Sequence, residues 1–399
     1  MIVTHLSLSD FRNYDTAEVD LVAGPNLFVG RNGQGKTNLV EAIGYLSTLG
    51  SHRVASDQAL IRAGQDAAIV RARLEHAERS VLVEVQLNRS GPNRAQVNRV
   101  STKPRDLPRY ATSVLFAPED LALVRGDPGG RRRYLDLLLM QLQPRLGGVL
   151  ADYDRVLRQR TTLLKSVRAA RVAESQLSTL EVWDERLIDL GSQIVIERSA
   201  LIDRIRPHVA DAYRAIAGDD HRADLAARLS ILGDGAADDL GDDGDQDAGA
   251  ASTSLEPDQV REAFVAALAR VRRQELDRGL TLVGPHRDDL VLTLNGLPAR
   301  GYASHGESWS FALALKLAAA ATLRTDSPLG DPVVILDDVF AELDVSRRAR
   351  LAGAIADYAQ VLITAAVLDD VPDELRAHTV HIRAGQIVDA EGGGAGEDA

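Results

Sequence analysis

Gly30-Arg31-Asn32-Gly33-Gln34-Gly35-Lys36-Thr37 decides how this chain is read. It fits the phosphate-binding pattern G-x-x-x-x-G-K-[ST] and has the flanks that the pattern needs. Asn26 to Val29 before it reads as a buried strand. Asn38 to Leu46 after it reads as a helix that ends near Leu49-Gly50, with the glycine as its C-terminal cap. The loop glycines let backbone N–H groups approach phosphate oxygens, and the helix turns its positive end toward them. Lys36 would bridge β- and γ-phosphates, and Thr37 would ligate Mg²⁺. The carboxylates such a site needs stand far away, in Val333-Val334-Ile335-Leu336-Asp337-Asp338. That continuous apolar run ending in acid is typical of a buried parallel strand. Asp337 would hold Mg²⁺ directly or through water, and Asp338 would sit beside the attacking water as base or polariser. The division of these two roles stays open at this level. One nucleotide site is thus assembled from both ends of the chain, around a large insertion.

The 399 residues can hold two or three domains, and 45 % hydrophobic content is enough for substantial cores. No apolar run approaches the ~20 residues of a membrane span, and Met1 to Leu6 lacks the pattern of a signal peptide. Cysteine is absent, which excludes disulfides and thiol chemistry. The expectation is a soluble, cytoplasmic protein. The net charge of −12 argues at first against nucleic acid, but the charge is unevenly distributed. From Asp120 to Ser175 there are 11 Lys/Arg against 6 Asp/Glu. Gly233 to Ala250 carries seven Asp and no Lys or Arg. This Gly-rich stretch is expected to be a disordered surface loop, because it cannot bury enough surface to offset its ordering entropy.

The first hundred or so residues read as strands. Ile2, Thr4, Leu6 and Leu8 alternate with Val3, His5 and Ser7, followed by Glu18–Val22, Asn26–Val29, Ala68–Leu74 and Val81–Leu87. From about Pro118 the period becomes helical. Leu135, Leu138, Leu139 and Leu142 share a face, and Leu180, Trp183, Leu187, Leu190 and Ile194 form a short heptad-like seam. That seam reads as one face of a helical bundle, or as an arm of paired antiparallel helices. Pro257 opens a further helix with Val260, Phe264, Leu268 and Val271 inward. Strands are expected again at Leu280–Val283, Leu290–Leu294, Val333–Leu336 and Val361–Thr364, with a helix from about Glu307 to Leu323. The division read from this pattern is a head in two parts, 1–117 and 279–390. A mainly helical lobe, 118–278, is inserted between them, and a flexible tail occupies 391–399.

Two short motifs narrow the class. Ser304-His305-Gly306-Glu307 precedes a long helix, so Ser304 and Gly306 could contact a phosphate at its N-terminus. Ser304 with Glu307 can equally be a capping box. Glu342-Leu343-Asp344 follows the carboxylates. The order of these motifs resembles the ABC-type ATPase head, in which the Ser-x-Gly motif binds the γ-phosphate held by the opposite subunit. The resemblance becomes closer in Phe11-Arg12-Asn13-Tyr14, Phe116 to Leu121, Arg132 to Asp136, Gly284-Pro285-His286-Arg287-Asp288-Asp289 and Leu336 to Asp344. Together with the loop, these runs resemble the RecF family of recombination mediators, from the first strand to about Thr364. The resemblance implies an α/β fold: an ABC/SMC-type P-loop ATPase head assembled from both termini, with an inserted helical lobe. It further implies ATP and Mg²⁺ as cofactors, an ATP-dependent homodimer, and binding to duplex DNA near single-strand gaps. Implied partners are RecR, with RecO and RecA in the same pathway, and the implied roles are in replication, repair and the SOS response.

Departures from the ABC pattern imply slow hydrolysis with ATP as a switch, and the resemblance implies a weak, DNA-dependent ATPase. Phe116-Ala117-Pro118-Glu119 offers no Gln, Thr364-Ala365 stands where transporters use His, and Asp338 is a methylene shorter than the usual Glu. Arg12 could reach the nucleotide phosphates. Arg125, Arg131, Arg132, Arg133, Arg155, Arg158 and Arg160 could neutralise DNA phosphates, or form a solvated face or structural ion pairs. Arg71, Arg73, Arg94 and Arg99 are alternatives. With 4 % aromatic residues, a stacking platform for single strands is not expected. His286 and Arg287 read as structural. A transport ATPase would need a surface for a membrane partner, and the helical insert is far longer than transporter heads carry at that point. A chromosome-organising clamp and a nuclease subunit fit less well for want of long coiled coils and a nuclease metal cluster.

Overall fold

The structure, a computed structural model, describes residues 1–170, 178–218, 220–233 and 255–388. The acidic segment 233–250, except Gly233, and the tail 391–399 lie outside the described residues. In chain order the elements are β1 (Ile2–Phe11), β2 (Tyr14–Asp20), β3 (Gly24–Val29), α1 (Lys36–Thr48), β4 (Ala67–His76), β5 (Arg79–Asn88), β6 (Arg94–Val97), β7 (Val100–Thr102) and β8 (Ser113–Phe116). There follow α2 (Leu121–Arg125), α3 (Pro128–Leu142), α4 (Leu146–Ala170), α5 (Ser178–Ala217), β9 (Ala223–Arg228), α6 (Pro257–Arg278), β10 (Asp289–Leu294), β11 (Leu297–Pro298) and the short α7 (Ala299–Tyr302). The chain closes with α8 (His305–Asp326), β12 (Val333–Asp337), α9 (Val345–Ile355), β13 (Gln360–Ala365), β14 (Thr379–Arg383) and β15 (Gln386–Val388).

Two compact units emerge. The first comprises 1–121, 211–220 and 309–399; the second comprises 122–210 and 221–308. Residues 279–308, grouped with the head by sequence, pack instead with the second unit. The reason is strand pairing: β10 lies antiparallel to β9 from Asp289↔Arg228 to Leu294↔Ala223.

The first unit holds two sheets. One is antiparallel, in the order β2-β1-β4-β5-β6-β7. The other runs β15-β14-β3-β13-β12-β8, and its strands from β14 to β8 are parallel. Val333, Val334, Ile335 and Leu336 are each fully buried, as the unbroken apolar run requires of a strand covered on both faces. One core gathers the inner residues of both sheets around the apolar stripe Leu39, Val40, Ile43 and Leu46 of α1. This packing fixes where α1 begins, and with it the phosphate loop.

Two details of this unit differ from the simple reading. In β1 the inward set is Val3, Leu6 and Leu8, because the pairing with β4 shifts register between Val3 and His5. A bulge adds one residue and moves the alternation by one step. At the end of α1 the left-handed cap is Leu49, φ 53°, and not Gly50. A leucine there costs roughly 1–2 kcal/mol of backbone energy, offset by packing of its side chain on the core.

The second unit is mainly helical. Leu187, Ile194, Val260, Phe264, Leu268 and Val271 form its core with Tyr153 of α4, as the helical periodicity of α5 and α6 predicts. Leu280–Val283 is not a strand. Its backbone is held by side chains: Glu275 Oε1 accepts from the Leu282 N–H at 2.8 Å, and Gly279 turns the chain at φ 68°. The following Gly284-Pro285-His286-Arg287-Asp288-Asp289 run is a hub, buried except at the half-buried His286 and the exposed Arg287. Asp289 takes both arms of Arg131 at 2.7 and 2.8 Å. His286 Nδ1 meets the Tyr153 hydroxyl at 2.7 Å, and Asp288 Oδ1 accepts from the Ser230 N–H at 2.8 Å.

Burial lowers the His286 pKa to about 4 and raises that of Asp288 to about 6, the latter against its bonds with Ser230. As pH rises from about 4 to 6.5, unfolded chains still hold a His286 proton that folded chains have already lost, and they release it over this range, so stability from this group rises. As pH rises from 3.8 to about 6, folded chains keep an Asp288 proton that unfolded chains have lost, so stability from this group falls. The two trends oppose each other. Asp288→Asn removes the falling one, so its unfolding free energy should gain on wild type steadily from pH 4 to 6 in urea titrations. A difference independent of pH would show that Asp288 titrates ordinarily.

Candidate nucleotide-binding site

The phosphate loop spans Gly30 to Gly35, between the end of β3 and the start of α1. At Gly35 φ is 114°, and a Cβ there would meet the Tyr14 hydroxyl at 2.7 Å and Asn13 Nδ2 at 2.9 Å. Only glycine fits, and the Phe11-Arg12-Asn13-Tyr14 run therefore backs the loop. The loop's apex is tied down at Gln34. Its carbonyl accepts from Asn13 Nδ2 at 3.3 Å and from the Gly385 N–H at 3.0 Å, and its side-chain oxygen accepts from the Ala384 N–H. Lys36 is buried and folds its ammonium back onto the loop. It donates to Gly30 O at 2.6 Å, Arg31 O at 3.2 Å and Asn32 Oδ1 at 3.4 Å. Burial lowers its pKa, while the charges of Asp338 and Asp337 oppose that shift.

Asp337, at the end of β12, closes the site. Its Oδ1 accepts from Thr37 Oγ1 at 2.8 Å and from Thr364 Oγ1 at 2.6 Å. Burial pushes this carboxyl up, but the His52 imidazole and the two hydroxyls hold it below the usual carboxylate range. Asp338 sits at φ 56°, a left-handed conformation costing a non-glycine residue of order 1–3 kcal/mol. Its N–H is held by Thr364 Oγ1 at 3.0 Å and Thr364 O at 3.3 Å. Burial raises the Asp338 pKa and Lys36 opposes the rise, while Asp337, Asp370 and Glu342 add to it. The pair thus splits into an ionised, hydroxyl-bonded carboxylate and a neighbour tuned toward accepting a proton.

The structure brings Gly30, Arg31, Asn32, Gly33, Gln34, Gly35, Lys36 and Thr37 together with Asp337 and Asp338 in one unit. Arg12 is engaged otherwise: its guanidinium forks onto Glu41 at 2.8 and 2.6 Å and donates to Ala59 O at 3.1 Å. The two oxygens of the buried Glu41 carboxylate match that fork bidentately. Ser304 and Gly306 belong to the second unit. There Ser304 forms the capping box with Glu307, with bonds of 2.7 and 3.3 Å.

Several arginines in the basic stretch are structural. Arg160 is fully buried and bonded to Asp184 at 2.6 Å and Glu275 at 2.5 Å. Arg131 is committed to Asp289. Arg132 donates to Asp288 O at 2.7 Å, and Arg125 to Ser308 Oγ at 3.0 Å. Arg155 and Arg158 are exposed on α4; Arg73, Arg94 and Arg99 are exposed on the antiparallel sheet. Sequence reasoning did not single out Thr364 as the bridge between the two aspartates, nor His52, whose Nε2 lies 3.6 Å from Asp337 Oδ2. The only hint was Ser51-His52-Arg53 directly after the loop helix.

The RecF/RecN/SMC N terminal domain family matches residues 2–380. A DNA replication and repair protein RecF of Clavibacter michiganensis subsp. michiganensis (strain NCPPB 382) is 63 % identical over 406 residues, covering 99 % of this chain and all of that one. One from Kineococcus radiotolerans is 52 % identical, covering 97 % and 99 %. Among solved structures, the recombination mediator protein RecF–ATP in the RecFOR pathway superposes with a TM-score of 0.81 at 26 % identity, covering 97 % of this chain and 98 % of that one. An Smc head domain from Pyrococcus furiosus, at TM-score 0.50 and 16 % identity with 97 % and 95 % coverage, shares the fold.

Thr364→Val keeps the shape of the side chain but deprives Asp337 Oδ1 of one hydroxyl and the Asp338 N–H of its nearer acceptor. A loss of about 1–3 kcal/mol in unfolding free energy is expected from urea denaturation, without nucleotide. Wild-type stability would mean that the bridge is not a net contributor.

Proposed function

Because this chain belongs to the RecF family of DNA replication and repair proteins, we propose that it is an ATP-operated, DNA-binding switch of recombinational repair. The observation that carries the reading is the 2.8 Å bond from Thr37 to Asp337, which closes a phosphate loop against an acidic strand end from the far side of the chain. In this reading the loop N–H groups and Lys36 take the ATP phosphates, Lys36 exchanging its loop carbonyls for phosphate oxygens. Thr37 and Asp337 supply hard oxygen donors that suit Mg²⁺, which when bound neutralises charge on the β- and γ-phosphates. Asp338, with its raised pKa, orients the attacking water and accepts its proton. Slow turnover follows from a base one methylene shorter than Glu.

Ser304 and Gly306 act in this reading on the γ-phosphate bound by a second copy, so ATP joins two heads and hydrolysis releases them. The dimer binds duplex DNA near single-strand gaps. With RecR and RecO it helps to load RecA, which supports the SOS response. Exposed Arg73, Arg94, Arg99, Arg155 and Arg158 are the better candidates for phosphate contacts, since Arg131 and Arg160 are buried in ion pairs. No helix among the described residues is long and apolar enough to cross a membrane, and the proposed location is the cytoplasm.

Sedimentation with a slowly hydrolysed ATP analogue and Mg²⁺, with and without gapped duplex DNA, tests the proposal. Wild type should dimerise with the analogue and retain DNA; a species indifferent to both would overturn the switch. Lys36→Met should abolish nucleotide binding and the dimer. Ser304→Arg should still bind ATP yet stay monomeric, and a normal dimer would sink the role in the opposite subunit. Asp338→Asn should accumulate the ATP dimer with turnover reduced at least tenfold, while unchanged turnover would remove Asp338 from catalysis.

A further inference from the structure

His52 lies outside every motif used above, yet its position is tightly held. The Ser51 hydroxyl donates to Glu41 Oε1 at 2.5 Å and accepts from the N–H groups of Arg53 at 2.9 Å and Val54 at 3.1 Å. Glu41 is itself gripped by Arg12, and Arg53 donates to Asn38 Oδ1 at 3.0 Å. The turn is therefore pinned to α1 on both sides of His52. The imidazole is thereby placed against the acidic strand end.

Asp337 Oδ1 already accepts two hydroxyls, which leaves Oδ2 as the oxygen available to a ligand. His52 Nε2 lies 3.6 Å from that Oδ2, beyond hydrogen-bond reach, and it is buried with no hydrogen-bond partner among the described residues. A buried ring nitrogen without a partner is costly unless something unseen completes it. One water molecule can touch two atoms at this separation. Mg²⁺ keeps several of its waters when a protein binds it, so such a water has a natural owner.

Resting on the nucleotide-site reading, we propose that His52 and Asp337 jointly hold one water of the divalent cation's coordination shell. His52 is thus a positioning residue for the metal. It does from the segment after α1 what no glutamine does from Phe116-Ala117-Pro118-Glu119. Removing an outer-shell partner of this kind typically costs 10–100-fold in metal affinity.

The test is a Mg²⁺ titration of nucleotide binding, with ADP and with a slowly hydrolysed ATP analogue, read by calorimetry or by a fluorescent nucleotide. His52→Ala should raise the half-saturating Mg²⁺ concentration about tenfold or more with both nucleotides. Affinity in EDTA and the unliganded melting temperature should stay near wild type. His52→Gln, whose amide can meet the same water, should recover most of the loss, and His52→Phe, which keeps the ring volume, should not. An unchanged Mg²⁺ requirement in His52→Phe or His52→Ala overturns the role. So does an equal loss with and without Mg²⁺, which would make His52 structural or a direct nucleotide contact. If wild type itself shows no Mg²⁺-dependent nucleotide binding, the site reading fails together with the proposal. Metal-dependent binding in wild type with indifferent variants sinks the role of His52 alone.

Discussion

The bond between Thr37 and Asp337 is the constraint on which the rest of this structure depends. Its partners come from opposite ends of the chain, so it can form only after β3, β12 and β13 have paired in parallel register. Such pairing needs long crossovers and a sheet covered on both faces. The fully buried run Val333–Leu336 supplies the apolar surface for it, and α1 packs against that surface. The polar end of the buried strand is then completed by two threonine hydroxyls. An ionised carboxylate at the rim of a core is tolerable only with such donors.

Strain and burial are concentrated at the same place. Asp338 occupies a left-handed conformation, Gly35 a conformation closed to other residues, and Lys36 is buried against carbonyls that an anion would replace. Each feature is unfavourable for the protein by itself. All are supported by neighbours: Thr364 under Asp338, and Asn13, Tyr14 and the Ala384-Gly385 turn around the loop. Such strain is kept where the surroundings over-determine it, and it marks the part of the molecule organised for a ligand.

The basic stretch of the second unit shows why a charge count is a poor map of a surface. Arg131 and Arg160 add to the positive balance between Asp120 and Ser175, yet both are buried among carboxylates that lie far away in sequence. Removing either partner of such a pair would cost about 3–5 kcal/mol, because the other charge would stay buried alone. Arg131 joins α3 to Asp289, and Arg160 joins α4 to α5, α6 and Thr281. Arg125, Arg133, Arg145, Arg155, Arg158 and Arg168 of the same stretch stay exposed, on α2, α3, α4 and the turn before α4.

The sequence by itself determined the phosphate loop, the acidic strand end and the helical faces of the second unit, because each rests on local spacing: a glycine pattern, an apolar run, a period of 3.6. The family came from the resemblance of whole motif runs. Local spacing was blind to what depends on partners distant in the chain. It could not see the bulge that shifts β1, since the shift arises in pairing with β4, nor that Leu280–Val283 satisfies its backbone through Glu275. It expected a glycine cap where core packing holds Leu49 in the left-handed form. It grouped 279–308 with the head, although pairing of β10 with β9 draws that segment into the second unit. It did not reveal that Glu41 takes the fork of Arg12, that Thr364 bridges the two aspartates, or that His52 stands beside Asp337. In each case the deciding group is brought near only by the tertiary fold, where burial makes one unsatisfied polar atom cost as much as the local preference it overrides.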